Sequence, residues 1–203
     1  MNLALTGASV DGPLYTDIVD LAHRAPGWLD GVIAVWSAYG LAVFALLMLA
    51  GWWRARRDGA TAAVTALAVP VAVVLAYAVT SVVKPLVAED RPCRHLAVRT
   101  LEACPARGDW SFPSNHAAIA FAAATALFFV SRRLGVVAAL CAGAMAASRV
   151  WVGVHYPHDV AVGAALGAAV AFLAMTALKR LPADLPERLS GTRLRPLLVS
   201  DPA

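Results

Sequence analysis

Five long uncharged runs constrain this chain more than any other feature. Gly31–Trp53 holds 23 residues without a charge, Gly59–Val83 holds 25 and Val160–Leu178 holds 19. Crossing about 30 Å of hydrocarbon takes roughly 20 apolar residues, so each of the three can span a bilayer. Ala117–Ser131 and Leu134–Ser148 have only 15 residues each. As helices they reach about 22 Å at 1.5 Å per residue. To complete those two spans, Ser114–His116 at one end and Ser148–Arg149 at the other must be drawn to the hydrocarbon boundary. The composition agrees: 60% of the 203 residues are hydrophobic, 15% are charged, and the mean hydropathy is +0.68. Soluble domains carry about 45–50% apolar and roughly 25% charged residues. A soluble enzyme, a nucleic-acid-binding protein and a disordered chain are excluded. The expectation is an all-α integral membrane protein, a bundle of about five transmembrane helices over residues 1–181. A mobile tail follows over 182–203, where Pro, Arg and Leu mix without period.

If all five runs cross, Arg54–Asp58, Arg132–Arg133 and the segment from Lys179 share one side. They hold ten of the 17 basic residues but four of the 13 acidic ones. Basic loops favour the cytoplasm, which puts the C-terminus inside and the N-terminus, Lys84–His116 and Arg149–Asp159 outside the cell membrane. The first basic residue is Arg24, so no cleaved signal peptide is expected. Pro13–Arg24 sets Leu14, Ile18, Leu21 and Ala22 at helical spacing. It reads as an amphipathic interfacial helix or, equally, as an irregular arm. Cys93 and Cys104 lie together on the outer side. In an oxidising compartment they could close a loop worth roughly 3 kcal/mol, or remain two thiols. Cys141 falls within a span and suits packing. Gly163-x3-Gly167 permits a close helix approach, Pro70 predicts a kink in the second span, and Trp52, Trp53 and Trp110 suit interface anchors.

Ionisable residues at the outer ends of four spans carry the functional signal. Lys84 ends the second span, ahead of Glu89-Asp90-Arg91-Pro92. Pro113-Ser114-Asn115-His116 opens the third, Ser148-Arg149 closes the fourth, and His155-Tyr156-Pro157-His158-Asp159 opens the fifth. A charge at mid-bilayer costs about 2.5–3.5 kcal/mol on insertion scales, so several at one depth mark a site. Lys84, Arg91 and Arg149 have no matching acidic cluster. Guanidinium groups grip phosphate in bidentate fashion and an ammonium adds a point charge. Pro113 and Pro157 suit the first turns of helices, whose free N–H groups favour an anion, and Ser114 adds a hydroxyl. These residues describe a phosphate cradle that needs no metal, and no Cys/His cluster has ligand spacing. His155 and Asp159 are four apart and would share a helix face. The carboxylate would fix the imidazole tautomer and leave the other nitrogen free to attack phosphorus. His116 is placed to protonate the leaving oxygen and later activate water. His158 would point about 100° away from Asp159 and is left out.

Singly, each motif has an ordinary structural reading. His-x3-Asp is common, Pro-Ser-Asn-His is a routine helix start, and Lys84 alone is a snorkelling lysine. Together they resemble the type 2 phosphatidic acid phosphatase superfamily of membrane enzymes. Its three motifs stand in order as Lys84-x6-Arg91-Pro92, Pro113-Ser114-Asn115-His116 and Ser148-Arg149-x5-His155-x3-Asp159, over a motif core of 84–159. The resemblance implies a helical membrane bundle in which Lys84, Arg91, Ser114 and Arg149 hold the phosphate. It implies that His155 is the nucleophile oriented by Asp159, that His116 is the acid, and that no cofactor is needed. The phrase from Ser148 to Pro157 looks like that of bacterial undecaprenyl diphosphatases of the bacitracin-resistance type. The implied function is hydrolysis of undecaprenyl diphosphate to the monophosphate, recycling a carrier lipid for cell-wall synthesis. A phosphatidylglycerophosphate or phosphatidic acid phosphatase, a lipid phosphotransferase, and a non-catalytic anionic-lipid binding or transport protein are the alternatives. The expected partners are a membrane lipid phosphate and the bilayer, with no nucleic acid.

Overall fold

The computed structural model describes residues 7–96 and 98–199. Every regular element among them is a helix: α1 (Ala8–Arg24), α2 (Gly27–Tyr39), α3 (Leu41–Ala55), α4 (Ala60–Val87), α5 (Pro92–His95), α6 (Asn115–Phe128), α7 (Arg132–Trp151), α8 (Pro157–Leu178), α9 (Leu185–Ser190) and α10 (Arg195–Leu198). By length and composition, Ala60–His95, Arg132–Trp151 and Pro157–Leu178 can cross a membrane, and α2 with α3 makes a fourth crossing if the bent pair counts as one. Gly31–Trp53 is therefore not one straight span. It breaks at Gly40 with a bend of 55°. A Cβ at Gly40 would lie 2.8 Å from Met145 Cε on α7, so the absent side chain lets the bend press against the bundle. α4 runs unbroken through Pro70 and Pro85.

α6 explains the short third run. It has 14 residues and sits at the centre, packed against α8 and α7 most extensively and then α4. Ala117, Ala118, Ala120, Ala122, Ala123, Ala124 and Ala126 are all buried. Small residues let backbones approach closely where lipid supplies no hydrophobic drive between helices. The closest approach is to α8: a Cβ built at Gly163 would lie 2.4 Å from the Ser114 carbonyl oxygen, and one at Gly167 would lie 2.1 Å from that of Ala118. The Gly163-x3-Gly167 pair thus works inside the bundle. Large apolar side chains such as Val74, Leu140 and Leu173 point outward, as lipid-facing surfaces require.

Of the two readings open for Pro13–Arg24, the helix forms, as α1. Tyr15, Val19 and Ala22 are buried, whereas Leu14 and Leu21 are exposed. The helix breaks at Asp11, with φ −144° and ψ 26°, and Tyr15 Oη donates to the Gly153 carbonyl at 2.8 Å, which holds the Tyr15 face against the bundle. The segment after Pro182, expected to be mobile, forms α9 and α10, which pack on α4. Trp52 Nε1 donates to the Leu197 carbonyl at 2.9 Å, and Leu198 is buried.

Replacing Gly167 tests the central contact. Gly167→Ala is expected to cost about 1–3 kcal/mol through overpacking, read as a lower thermal midpoint in detergent. Gly143→Ala, with nothing within 4 Å of the new Cβ, is expected to leave the midpoint unchanged or slightly raised.

Candidate active site

Four helix ends converge at one end of the bundle: the C-termini of α4 and α7 and the N-termini of α6 and α8. Lys84, Arg91, Ser114, Arg149, His155 and Asp159 are all buried there. Lys84 lies in the last turn of α4, where its ammonium donates to the carbonyl oxygens of Trp110 and, at 3.4 Å, Ser111. Arg91 precedes Pro92, the first residue of α5. Its Nε donates to the Asp109 carbonyl at 2.9 Å, its Nη2 pairs with Asp109 Oδ1 at 3.0 Å, and its Nη1 donates to the Val154 carbonyl at 2.9 Å. Arg149, in the last turn of α7, reaches Ser37 Oγ on α2 and the Glu102 carboxylate at 3.3 Å. Its Nε has no hydrogen-bond partner among the described residues.

The two histidine motifs fold differently from a shared helix face. Pro157 starts α8, so His155 stands in the connecting segment before the helix and Asp159 in its first turn. Gly153 makes that connection with φ +87°, a conformation that side chains disfavour. Asp159 Oδ2 accepts from the Tyr156 amide at 2.8 Å, from the Ser111 hydroxyl, and from His155 Nδ1 at 3.3 Å. On the other edge of the ring, Arg91 Nη1 lies 3.2 Å from His155 Nε2. A guanidinium only donates, so Nε2 presents its lone pair and Nδ1 carries the hydrogen. Burial, reinforced by Arg91 and Arg149, lowers the His155 pKa to about 3 and outweighs Asp159. The ring is neutral at ordinary pH. Burial raises the Asp109 carboxyl, but its hydrogen bond and attraction to Arg91 outweigh that and hold it below the usual range.

Ser114 caps α6, its hydroxyl facing the Ala117 amide at 3.5 Å while its own amide donates to the Asp159 carbonyl at 3.0 Å. Pro113 therefore lies outside the helix, before the cap. His116 follows in the first turn, half-buried and within electrostatic reach of Arg149, Arg91 and Lys84. Cys93 and Cys104 are joined by a disulfide, which closes the loop that presents Glu102.

Several residues at the site carry no signal in the sequence. Asp109, Ser111 and Glu102 stand in irregular chain where no period reveals a facing side. Ser37 sits inside an uncharged span. His158 has no role in the sequence pattern, yet its Nδ1 meets Asp11 at 2.8 Å and its Nε2 meets Glu89 at 3.1 Å, tying α1 to the site. Glu89, His158 and Asp159 could each offer one metal-ligand atom, all within 4.8 Å of one another. Both His158 ring nitrogens are already engaged by carboxylates, which makes the group a hydrogen-bonded clamp.

The arrangement gathers three cations around one buried neutral imidazole whose Nε2 lone pair faces the Arg91 guanidinium, which suits nucleophilic attack on a phosphoryl group held by that cation. Known proteins resemble this chain over most of its length. The family model of the PAP2 superfamily matches residues 65–182. Undecaprenyl-diphosphatase BcrC of Bacillus subtilis is 32% identical over 167 residues, which cover 79% of this chain and 80% of that one. Decaprenylphosphoryl-5-phosphoribose phosphatase of Mycolicibacterium smegmatis is 40% identical over 163 residues, 75% of this chain and 83% of the relative. A transmembrane PAP2 type phosphatidylglycerolphosphate phosphatase from Bacillus subtilis shares the fold with a TM-score of 0.67 at 19% identity, over 86% of this chain and 87% of that one. With more than half of its length matched and its apolar helices arranged as in a transmembrane relative, the chain belongs to the PAP2 superfamily and is a membrane lipid phosphatase.

Proposed function

We propose that this phosphatase removes the terminal phosphate of a polyprenyl lipid, undecaprenyl diphosphate in the first place, through a phosphohistidine on His155 and without a metal. The observation that carries the reading is the His155 ring. Its Nδ1 faces Asp159 and its Nε2 faces Arg91, at the centre of the Lys84, Arg91 and Arg149 cradle. In the first step the terminal phosphate takes the place of the acceptors now on Arg91 and Arg149. Nε2 attacks phosphorus, the P–N bond forms, the P–O bond to the bridging oxygen breaks, and His116 gives that oxygen its proton. In the second step His116 takes a proton from water, the oxygen attacks phosphorus, and the P–N bond breaks. Inorganic phosphate leaves and His155 is restored. Ser114 supports a phosphate oxygen throughout.

Two relatives at 32% and 40% identity are named for polyprenyl substrates, and this favours an isoprenoid lipid over a glycerophospholipid. The relative named for decaprenylphosphoryl-5-phosphoribose supports a second reading, in which the phosphate sits on a lipid-linked sugar. In the same reading α6 is a fifth crossing enclosed by the others. The excess of basic residues at the opposite end supports an extracytoplasmic site and a cytoplasmic C-terminus.

Phosphate release would be measured in detergent with excess EDTA. The substrates would be undecaprenyl diphosphate, decaprenylphosphoryl-5-phosphoribose, phosphatidylglycerophosphate and phosphatidic acid. Wild type is expected to survive chelation and to rank a polyprenyl substrate first. His155→Ala is expected to lose at least about a thousandfold in turnover, and near-wild-type turnover would overturn the mechanism. Because burial keeps His155 unprotonated down to about pH 3, its acid limb in kcat/KM is expected far below the ordinary histidine value of about 6.5. A pH profile between 4 and 8 checks this. Glu102 occupies Arg149 at 3.3 Å and competes with phosphate for it. Glu102→Gln is expected to lower KM by about two- to fivefold, as loss of a weak ion pair allows, with kcat little changed.

A further inference from the structure

We infer that Ser111 is a positioning residue for phosphoryl transfer, its hydroxyl fixing the His155 tautomer together with Asp159. The inference rests on His155 as the nucleophile and adds a residue outside all three sequence motifs. Ser111 is fully buried. Its backbone already secures the segment: the amide donates to the Glu89 carbonyl at 2.8 Å, and the carbonyl accepts from Lys84 at 3.4 Å. The side chain does something else. Its Oγ donates to Asp159 Oδ2 and lies 3.4 Å from His155 Nδ1.

The geometry gives that hydroxyl two tasks. Its proton goes to Asp159 Oδ2, which leaves its lone pairs for His155 Nδ1–H. The direct His155–Asp159 contact is long, at 3.3 Å, where N–H···O bonds centre near 2.9–3.0 Å. Nδ1–H is therefore shared between two acceptors at nearly equal distance, and the ring is centred between them. The same donation joins that of the Tyr156 amide, at 2.8 Å, on Asp159 Oδ2 and helps hold the carboxylate in place. As Nε2 bonds to phosphorus the ring becomes cationic, and both acceptors then stabilise Nδ1–H. Without the hydroxyl, Nδ1–H keeps only the long contact to an Asp159 that has lost one of its donors. Once a phosphate draws the Arg91 guanidinium off Nε2, the attacking tautomer is then held by one weak acceptor. A histidine in the wrong tautomer loses orders of magnitude in rate in comparable dyads.

The test combines kinetics with ¹⁵N NMR of histidine-labelled full-length protein in detergent, the His155 signals being assigned by their absence in His155→Ala. Wild type is expected to show His155 protonated at Nδ1 alone. Ser111→Ala is expected to lower kcat on the order of tenfold, as loss of one hydrogen bond predicts. Its KM should be unchanged, its thermal midpoint close to wild type, and its His155 signals, recorded with saturating inorganic phosphate to draw Arg91 off Nε2, those of mixed tautomers. Ser111→Thr, which keeps the hydroxyl, is expected to restore the Nδ1–H tautomer and most of kcat. An Nε2–H tautomer in wild type overturns the inference whether or not the variants fold. So does a Ser111→Ala protein whose kcat is within twofold of wild type, or one that loses kcat with the tautomer unaltered. The nucleophile assignment fails separately, through an active His155→Ala.

Discussion

Everything at the working end of this protein depends on holding three cations where water is scarce. Lys84, Arg91 and Arg149 are buried at the end of a helical bundle, and a buried charge without partners costs several kcal/mol. The chain satisfies them with acceptors it can give up. Lys84 rests on backbone carbonyls, Arg91 on Asp109, and Arg149 on Glu102 and Ser37. The two carboxylates sit in the irregular segment between α5 and α6, partly open to solvent. In the proposed reaction a phosphate replaces each of them without dismantling a helix. The cradle thus stays charged and ordered before substrate arrives, which is the preorganisation that electrostatic catalysis needs.

The scaffold beneath it is built from the smallest side chains. α6 contributes a nearly continuous alanine surface, and α8 meets it with Gly163 and Gly167 against the backbone of Ser114 and Ala118. That closeness reaches the chemistry directly, because Ser114 caps α6 and its amide binds the Asp159 carbonyl. The two helix starts that carry His116 and Asp159 are locked to one another by backbone contact. Side chains with more freedom would let them drift by the fraction of an ångström that matters in phosphoryl transfer.

The sequence reveals the parts of the site that obey fixed spacing and hides those that depend on tertiary placement. Lys84, Arg91, Ser114, His116, Arg149, His155 and Asp159 are legible because their spacing places them at span ends, and the structure brings them to one end. The short third run is legible as a helix, and its enclosure by α4, α7 and α8 is not. Ser111, Asp109, Glu102 and Ser37 are not legible, since irregular chain and an uncharged span carry no period. The packed face of α1 is not legible for a different reason: the break at Asp11 and the Tyr15–Gly153 bond fix it, and neither is visible in an apolar pattern. The segment after Pro182 likewise lacks a period but finds a surface in α4 and Trp52.

The break at Gly40 divides the first membrane segment between two duties. On one side α2 is tied to the catalytic end, through Ser37 to Arg149 and through Asp30 to Trp151 Nε1 at 2.9 Å. On the other side α3 ends among Trp52, Trp53 and Arg56, whose guanidinium lies 5.0 and 5.1 Å from the two rings, and meets the C-terminal segment. A straight helix would transmit any tilt at the basic end to the phosphate cradle as a rigid rod. A 55° corner at a residue without a side chain breaks that lever.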